Sequence, residues 1–222
     1  MKQKKTLNMV MTAMFIAIIA IMTFVPNLGY INLIVINATI IHIPVIIGSI
    51  VLGPKNGAVL GTVFGLTSLI KSTLTPSLLS FAFSPFYSVG GIGGNGWSVV
   101  IAMVPRILVG VVPYFVYKGI EKLLKKMKGK RMIAIPIACA LGTMTNTLLV
   151  MNLIYFCFRD EVAAVKEMAV DAVYSVILTI IITNGVPEMI AAVVIGTAIT
   201  LVLLRIMPYE KKENAVKQDS IN

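Results

Sequence analysis

The sequence predicts an all-α integral membrane protein, a bundle of six transmembrane helices with both termini in the cytoplasm. Hydrophobic residues make up 58% of the 222 residues, and charged residues make up only 13%. Soluble domains carry about 25% charged residues. The chain has room for about six apolar stretches near the ~20 residues that a spanning helix needs. Most of the Lys and Arg residues flank these stretches, as the positive-inside rule requires.

The apolar stretches are separated by turn signals and charged segments. Pro26 closes the first stretch, and Gly53, Pro54 and Gly57 make a tight cytoplasmic turn after the second. Pro187 stands at a favoured first helical position and begins the last stretch. The predicted spans cover about residues 7–25, 37–53, 57–72, 98–118, 132–157 and 187–205.

The connections and the chain end complete this picture. Residues 26–36 and 73–97 are predicted outer loops, and the first is unusually apolar. Residues 159–185 begin polar and become apolar, which predicts an outer loop and a partly embedded helix that stops at Asn184–Gly185. Residues 1–207 then form one six-helix domain, followed by a polar cytoplasmic tail at 208–222.

The net charge of +10 is explained by membrane topology. The strongest basic segment, "KGIEKLLKKMKGKR" at 118–131, lies between two predicted spans and marks a cytoplasmic connection. We therefore expect the lipid bilayer as a partner and no nucleic acid.

Polar residues within the spans converge on the outer half of the bilayer, when each is placed by ~1.5 Å of rise per residue. A charge at this depth must face protein or water, so a polar cavity open to the outside is expected. His42, the only histidine, stands in the apolar stretch "INATIIHIPVIIGS" with Asn37. The candidate binding residues are Arg106, Asn146, Asn184, Glu188, His42, Asn37, Tyr30 and Trp97.

Each of these residues has a structural alternative. Arg106 could cap a carbonyl or pair with Glu188, and Glu188 could be an acid favoured in the first turn of a helix. His42 and Asn37 could hydrogen-bond to neighbouring helices. Trp97 could anchor the chain at the membrane interface.

The sequence offers no catalytic set. There is one histidine, no acid pair lies within a span, and Cys139 and Cys157 have neither metal-ligand spacing nor an activating partner. No phosphate-binding loop with Walker spacing is present. We expect a protein that is not an enzyme, holds no cofactor or metal, and relies on another chain for any ATP hydrolysis.

Small residues recur at helical spacing in two places. Gly53, Gly57, Gly61 and Gly65 are four residues apart, which predicts close helix packing within the bundle. Ala13 and Ala17 form a similar pair on the first span.

Four stretches resemble the substrate-binding S components of energy-coupling factor (ECF) vitamin transporters. They are the basic start with Ala13 and Ala17, "INATIIHIPVIIGSIVLGPKNGAVLG" at 36–61, "VPRILVGVVPYFVYKG" at 104–119 and "TNGVPEMIAA" at 183–192. The resemblance implies capture of a vitamin at the outer face under a gating loop, here residues 26–36. It also implies a T component, contacted by Ala13 and Ala17, and two ATPases, in the cell membrane of a Gram-positive bacterium.

Within the family, the 36–61 stretch and the "TNGVPE" turn look most like the pantothenate-specific members. Pantothenate suits the candidate residues, since Arg106 would match its carboxylate, Asn146 and Asn184 its hydroxyls, and Tyr30 or Phe81 its dimethyl group. Folate, another vitamin, is the alternative substrate. A stand-alone membrane facilitator is a second alternative, which the apolar inner half of the bundle disfavours.

Overall fold

The computed structural model describes residues 2–26, 28–33 and 36–206, and the side chains of residues 5–26, 28–29 and 39–206. The predicted polar tail at 208–222 lies outside the described residues. Within them, helices dominate and two short hairpins complete the fold. The helices are α1 Lys2–Phe24, α2 His42–Leu52, α3 Pro54–Leu74, α4 Gly96–Leu123, α5 Arg131–Val165, α6 Val173–Ile180, α7 Val186–Ala191 and α8 Thr197–Ile206.

Five helical stretches in the described part of the chain are long and apolar enough to cross a membrane. They are Lys5–Phe24, Pro54–Leu74, Gly96–Leu123, Arg131–Val165 and Val170–Ile206. The chain is therefore a multi-pass membrane protein, and five of the six predicted spans correspond to spanning helices.

The second predicted span, 37–53, is only partly helical. Its helix α2 has 11 residues and is ~16 Å long, about half of the ~30 Å hydrocarbon core. Nearly every residue of α2 is buried, because the other helices surround it, and a helix that is apolar on all sides fits such a position. The tight turn at Gly53, with φ of 91°, then reverses the chain into α3.

The segment 159–185 differs most from the prediction. α5 continues through a kink at Phe158 to Val165 instead of ending near 157, and the chain is again helical from Val173. Asn184–Gly185 does not stop the helix. It belongs to a π-helical turn, Ile181–Gly185, which ends two residues before Pro187. Because proline lacks a backbone donor, a local change of helical hydrogen bonding next to it keeps the helix continuous.

The outer connections carry the strands. The predicted loop 26–36 contains β1 (Tyr30–Leu33), which pairs with β2 (Ile36–Thr39) as an antiparallel hairpin. This pairing explains the apolar content of the loop, since a segment rich in isoleucine favours extended backbone. The second connection contains a 3₁₀ turn, Ser80–Ala82, and the short hairpin β3 (Ser88–Val89) and β4 (Ile92–Gly93).

The glycine series on α3 packs against α4, which confirms the prediction of internal packing. A Cβ added to Gly57 would clash with the carbonyl oxygen of Gly110, and one on Gly61 would clash with the carbonyl oxygen of Arg106. The two backbones approach this closely only because side chains are absent at the contact. The stretch of α4 that carries Arg106 is thereby held directly against α3.

Candidate functional site

A polar cavity of about 250 Å³ lies among α3, α4, α5, the last helical stretch and the end of the first hairpin. On α4, its lining residue Arg106 lies ~15 Å from the start of the helix at Gly96 and ~26 Å from its end at Leu123, so the cavity lies toward the end of the bundle opposite the basic connection. Its lining residues are Thr39, Ser68, Ser72, Ser77, Ser80, Phe83, Arg106, Asn146, Thr147, Val150, Met151, Ile180, Asn184 and Glu188.

The cavity separates two apolar cores. One core contains α2 with Ile19, Leu60, Val109 and Cys139. The other joins the 3₁₀ turn to the outer parts of α4, α5 and α6, and includes Ile101, Phe158 and Ile177. Along α4, Ile101 of the outer core comes first, then Arg106 of the cavity, and then Val109 of the other core. The last helical stretch shows the same sequence of outer core, cavity and other core. Apolar packing on both sides therefore holds the polar side chains at one level.

Arg106 is the cationic group of the cavity, and it is 7% exposed. Its Nη1 donates to the carbonyl oxygen of Ile101 at 2.7 Å, and its Nη2 lies 3.4 Å from Oγ of Ser68. The guanidinium carbon lies 5.0 Å from the centroid of the Phe83 ring. These contacts fix the plane of the guanidinium, and a planar guanidinium is the group best suited to pair with a carboxylate.

Glu188, on α7, is the anionic group of the cavity and is 6% exposed. The backbone N–H and the hydroxyl of Thr39 both donate to its Oε1, each at 2.7 Å. Thr39 ends strand β2, so this carboxylate joins the first hairpin to the last helical stretch. Two hydrogen bonds to one carboxyl oxygen make this a firm connection between the hairpin and α7.

Two amide-bearing residues, Asn146 and Asn184, also line the cavity. Oδ1 of Asn146 and Oγ1 of its neighbour Thr147 are buried and have no hydrogen-bond partner within the described residues. Asn184 accepts from Thr183 at 3.3 Å. A buried polar atom without a partner costs about 1–3 kcal/mol, so these atoms favour a polar ligand or water in the cavity.

Six hydroxyl residues of the cavity, among them Thr147 of α5, are missing from the candidates that the sequence suggests. Ser68 and Ser72 lie four residues apart on α3, and this spacing was the available signal. Ser77 and Ser80 belong to the second outer connection, where the N–H of Ser77 donates to Oγ of Ser80 at 2.8 Å. Thr39 is the sixth. Hydroxyls from α3 and both outer connections thus surround the charged groups.

The structure brings Arg106, Asn146, Asn184 and Glu188 to this cavity, and it leaves His42 and Trp97 outside the described lining. His42 begins α2 and is fully buried. Trp97 begins α4, is 54% exposed, and has its backbone N–H capped by Asn95. Tyr30 and Asn37 belong to the paired strands, and their side chains lie outside the described part of the structure.

Phe81 is fully buried and packs edge-on against Phe158, so it does not line the cavity either. On α1, Phe15 and Ile19 are buried in the core, whereas Ala13 and Ala17 are exposed. The small-residue pair therefore lies on the outside of the bundle. No group of three or more potential metal ligands occurs among the residues that the structure describes.

Fold and cavity together define a multi-pass membrane protein with a polar, charged solute cavity toward one end of its bundle. The particular family follows from sequence comparison. Residues 7–200 match the family described as ECF transporter, substrate-specific component, and the chain belongs to that family.

Two curated relatives are similar to this chain along nearly its whole length. The pantothenic acid transporter PanT of Lactococcus lactis subsp. cremoris is 38% identical over 210 residues, which cover 92% of this chain and 97% of that protein. The pantothenate transporter PanT of Leuconostoc mesenteroides subsp. mesenteroides is 30% identical over 212 residues, which cover 93% of this chain and 96% of that protein.

Proposed function

We propose that this chain is the pantothenate-binding subunit of an ECF-type importer, which captures the vitamin outside and delivers it inward with a T component and two ATPases. The convergence of Arg106, Asn146, Asn184 and Glu188 on one cavity is the observation that carries this proposal. The two relatives named as pantothenate transporters support the choice of substrate.

The chemistry of the cavity matches the groups of pantothenate. Arg106 would pair with the carboxylate, and Asn146 and Asn184 would hydrogen-bond to the amide and hydroxyl groups. Phe83, Val150, Met151 and Ile180 offer apolar surface for the dimethyl end, in place of Phe81. At about 250 Å³ the cavity is smaller than the ~300–1,000 Å³ typical of drug-sized ligands, which disfavours folate.

The first hairpin would act as the cover of the cavity. Its last residue, Thr39, lines the cavity and holds the carboxylate of Glu188 from a different part of the chain. In this arrangement Glu188 closes the site, and its second oxygen can accept from a ligand hydroxyl. The cavity would face outward and both termini would be cytoplasmic, since the basic connection lies at the other end of the bundle.

The exposed face of α1 with Ala13 and Ala17 would contact the T component, because small side chains allow close approach of another helix. The ATPases would be separate chains. The origin of the two relatives in Lactococcus and Leuconostoc supports a Gram-positive cell membrane as the location.

Copurification and reconstitution test this proposal. A tagged chain, expressed in a host that carries the coupling proteins, should copurify with one T protein and two ATPases. Liposomes with the complete complex should accumulate pantothenate when ATP is supplied, whereas liposomes with this chain alone should not. Concentrative uptake by the chain alone would contradict the proposal.

A further inference from the structure

A second cavity, which the proposed transport function does not use, lies at the basic end of the bundle. It measures about 370 Å³ and lies between the α4–α5 connection and the end of α8. Three cationic and three apolar side chains line it, namely Lys130, Arg131, Arg205, Met127, Met132 and Leu201.

Among the described residues, the cationic side of this cavity carries more positive than negative charge. Glu121 lies 3.5 Å from Nζ of Lys130 and 3.8 Å from Nε of Arg131, and it also pairs with Lys118 at 3.1 Å. This carboxylate is thus shared among three cations. No carboxylate among the described residues pairs with Arg205. The cavity is therefore suited to an anion that Lys130, Arg131 and Arg205 approach from two different helix ends.

The position of the cavity indicates which anion. Arg131 begins the span Arg131–Val165, and Arg205 lies in the last turn of the span Val170–Ile206, so the cations lie at the level where two spans leave the membrane. Met132 is 60% exposed beside them, and Leu201 lies one turn deeper than Arg205. A ligand that matches both sides carries a negative headgroup and hydrocarbon chains.

We propose that this cavity binds an anionic phospholipid, with its phosphate held among Lys130, Arg131 and Arg205 and its acyl chains beside Met132 and α8. Basic pockets between transmembrane helices bind such headgroups in other membrane proteins. A free phosphate compound shares the headgroup chemistry but gains nothing from the apolar side. If the basic residues at this end served only to set membrane topology, they would attract anionic lipids by general electrostatic attraction. Binding would then not depend on Lys130, Arg131 and Arg205 more than on the other basic residues.

Native mass spectrometry of the full chain in detergent distinguishes these possibilities. The probes are dioleoylphosphatidylglycerol, dioleoylphosphatidylcholine and glycerol 3-phosphate. The double variant Lys130→Gln/Arg205→Gln removes two charges from the cavity. Lys125→Gln/Lys126→Gln is the matched control, because it removes two exposed charges from the same connection outside the cavity.

Phosphatidylglycerol should bind the wild-type chain more tightly than phosphatidylcholine, and glycerol 3-phosphate should not displace it. The cavity variant should lose about tenfold or more in affinity, whereas the control should stay within about twofold of wild type. Arg205→Lys, which keeps the charge at an exposed position, should retain binding and shows that the site tolerates substitution. Equal losses in both double variants, equal binding of the two lipids, or displacement by glycerol 3-phosphate would overturn the proposal.

Discussion

Replacing Arg106 by Gln should weaken the binding of pantothenate far more than the binding of its alcohol analogue, pantothenol. The guanidinium is 7% exposed and its plane is fixed by Ile101 and Phe83, so a carboxylate paired with it would be shielded from bulk water. Truncating one partner of such a buried pair costs about 2–5 kcal/mol, or roughly 30-fold to several thousand-fold in affinity.

The alcohol analogue has no carboxylate, so in the Arg106→Gln variant it should lose only the binding free energy of a neutral hydrogen bond. This is about 0.5–1.5 kcal/mol, which corresponds to roughly tenfold at most. Isothermal titration calorimetry of the purified variant with both ligands measures the difference. Retained binding of pantothenol would also show that the variant is folded.

Arg159→Gln is the control for this experiment. Arg159 lies on the outer part of α5, and its side chain is 54% exposed. Its ion pair within the described part of the chain is with exposed Asp160, at 3.7 Å. An exposed pair of this kind contributes little, so both ligands should bind the Arg159→Gln variant as they bind wild type. Equal losses of acid and alcohol in Arg106→Gln would refute the carboxylate contact and leave Arg106 a structural residue.

Three further predictions follow from the hairpin, the glycine contact and α1. Thr39→Val removes one of two hydrogen bonds that hold the hairpin to the cavity wall, and should speed ligand dissociation about tenfold or more in stopped-flow measurements. Gly57→Ala should destabilise the fold by about 1–3 kcal/mol in thermal unfolding, whereas Gly119→Ala, with open space around it, should not. Ala13→Trp with Ala17→Trp should abolish copurification of the T protein but leave ligand binding intact.

A specific result would contradict each of these three predictions. An unchanged dissociation rate in Thr39→Val would show that the hairpin does not close the cavity. Equal unfolding temperatures for Gly57→Ala and Gly119→Ala would contradict the close contact of α3 and α4. Normal uptake by the double tryptophan variant would exclude that face of α1 as the contact.

The sequence predicts the spanning helices well where length and apolarity coincide. α1, α3 and α4 begin and end within a few residues of the predicted bounds. The convergence of Arg106 and Asn146 is also predictable, because the rise per residue alone fixes the depth of a side chain in a straight helix.

Other features depend on information that hydropathy does not contain. α5 continues past residue 157 because polar residues outside the hydrocarbon core can stay helical, and hydropathy marks the membrane boundary instead of the helix end. In the apolar run that contains β2 and α2, the spacing of apolar and polar residues does not distinguish a strand from a buried helix. The depth of a residue also does not determine the direction in which its side chain points. For this reason the sequence does not predict that His42 is buried in the bundle while Ser68 and Ser72 line the cavity.

The most direct test of the account is equilibrium titration of the purified wild-type chain with pantothenate, with and without an excess of folate. We expect saturable binding of one pantothenate per chain that folate does not displace, since the cavity of about 250 Å³ presents one cation among its described lining residues and suits a small ligand. Absence of pantothenate binding, or its displacement by folate, would contradict it.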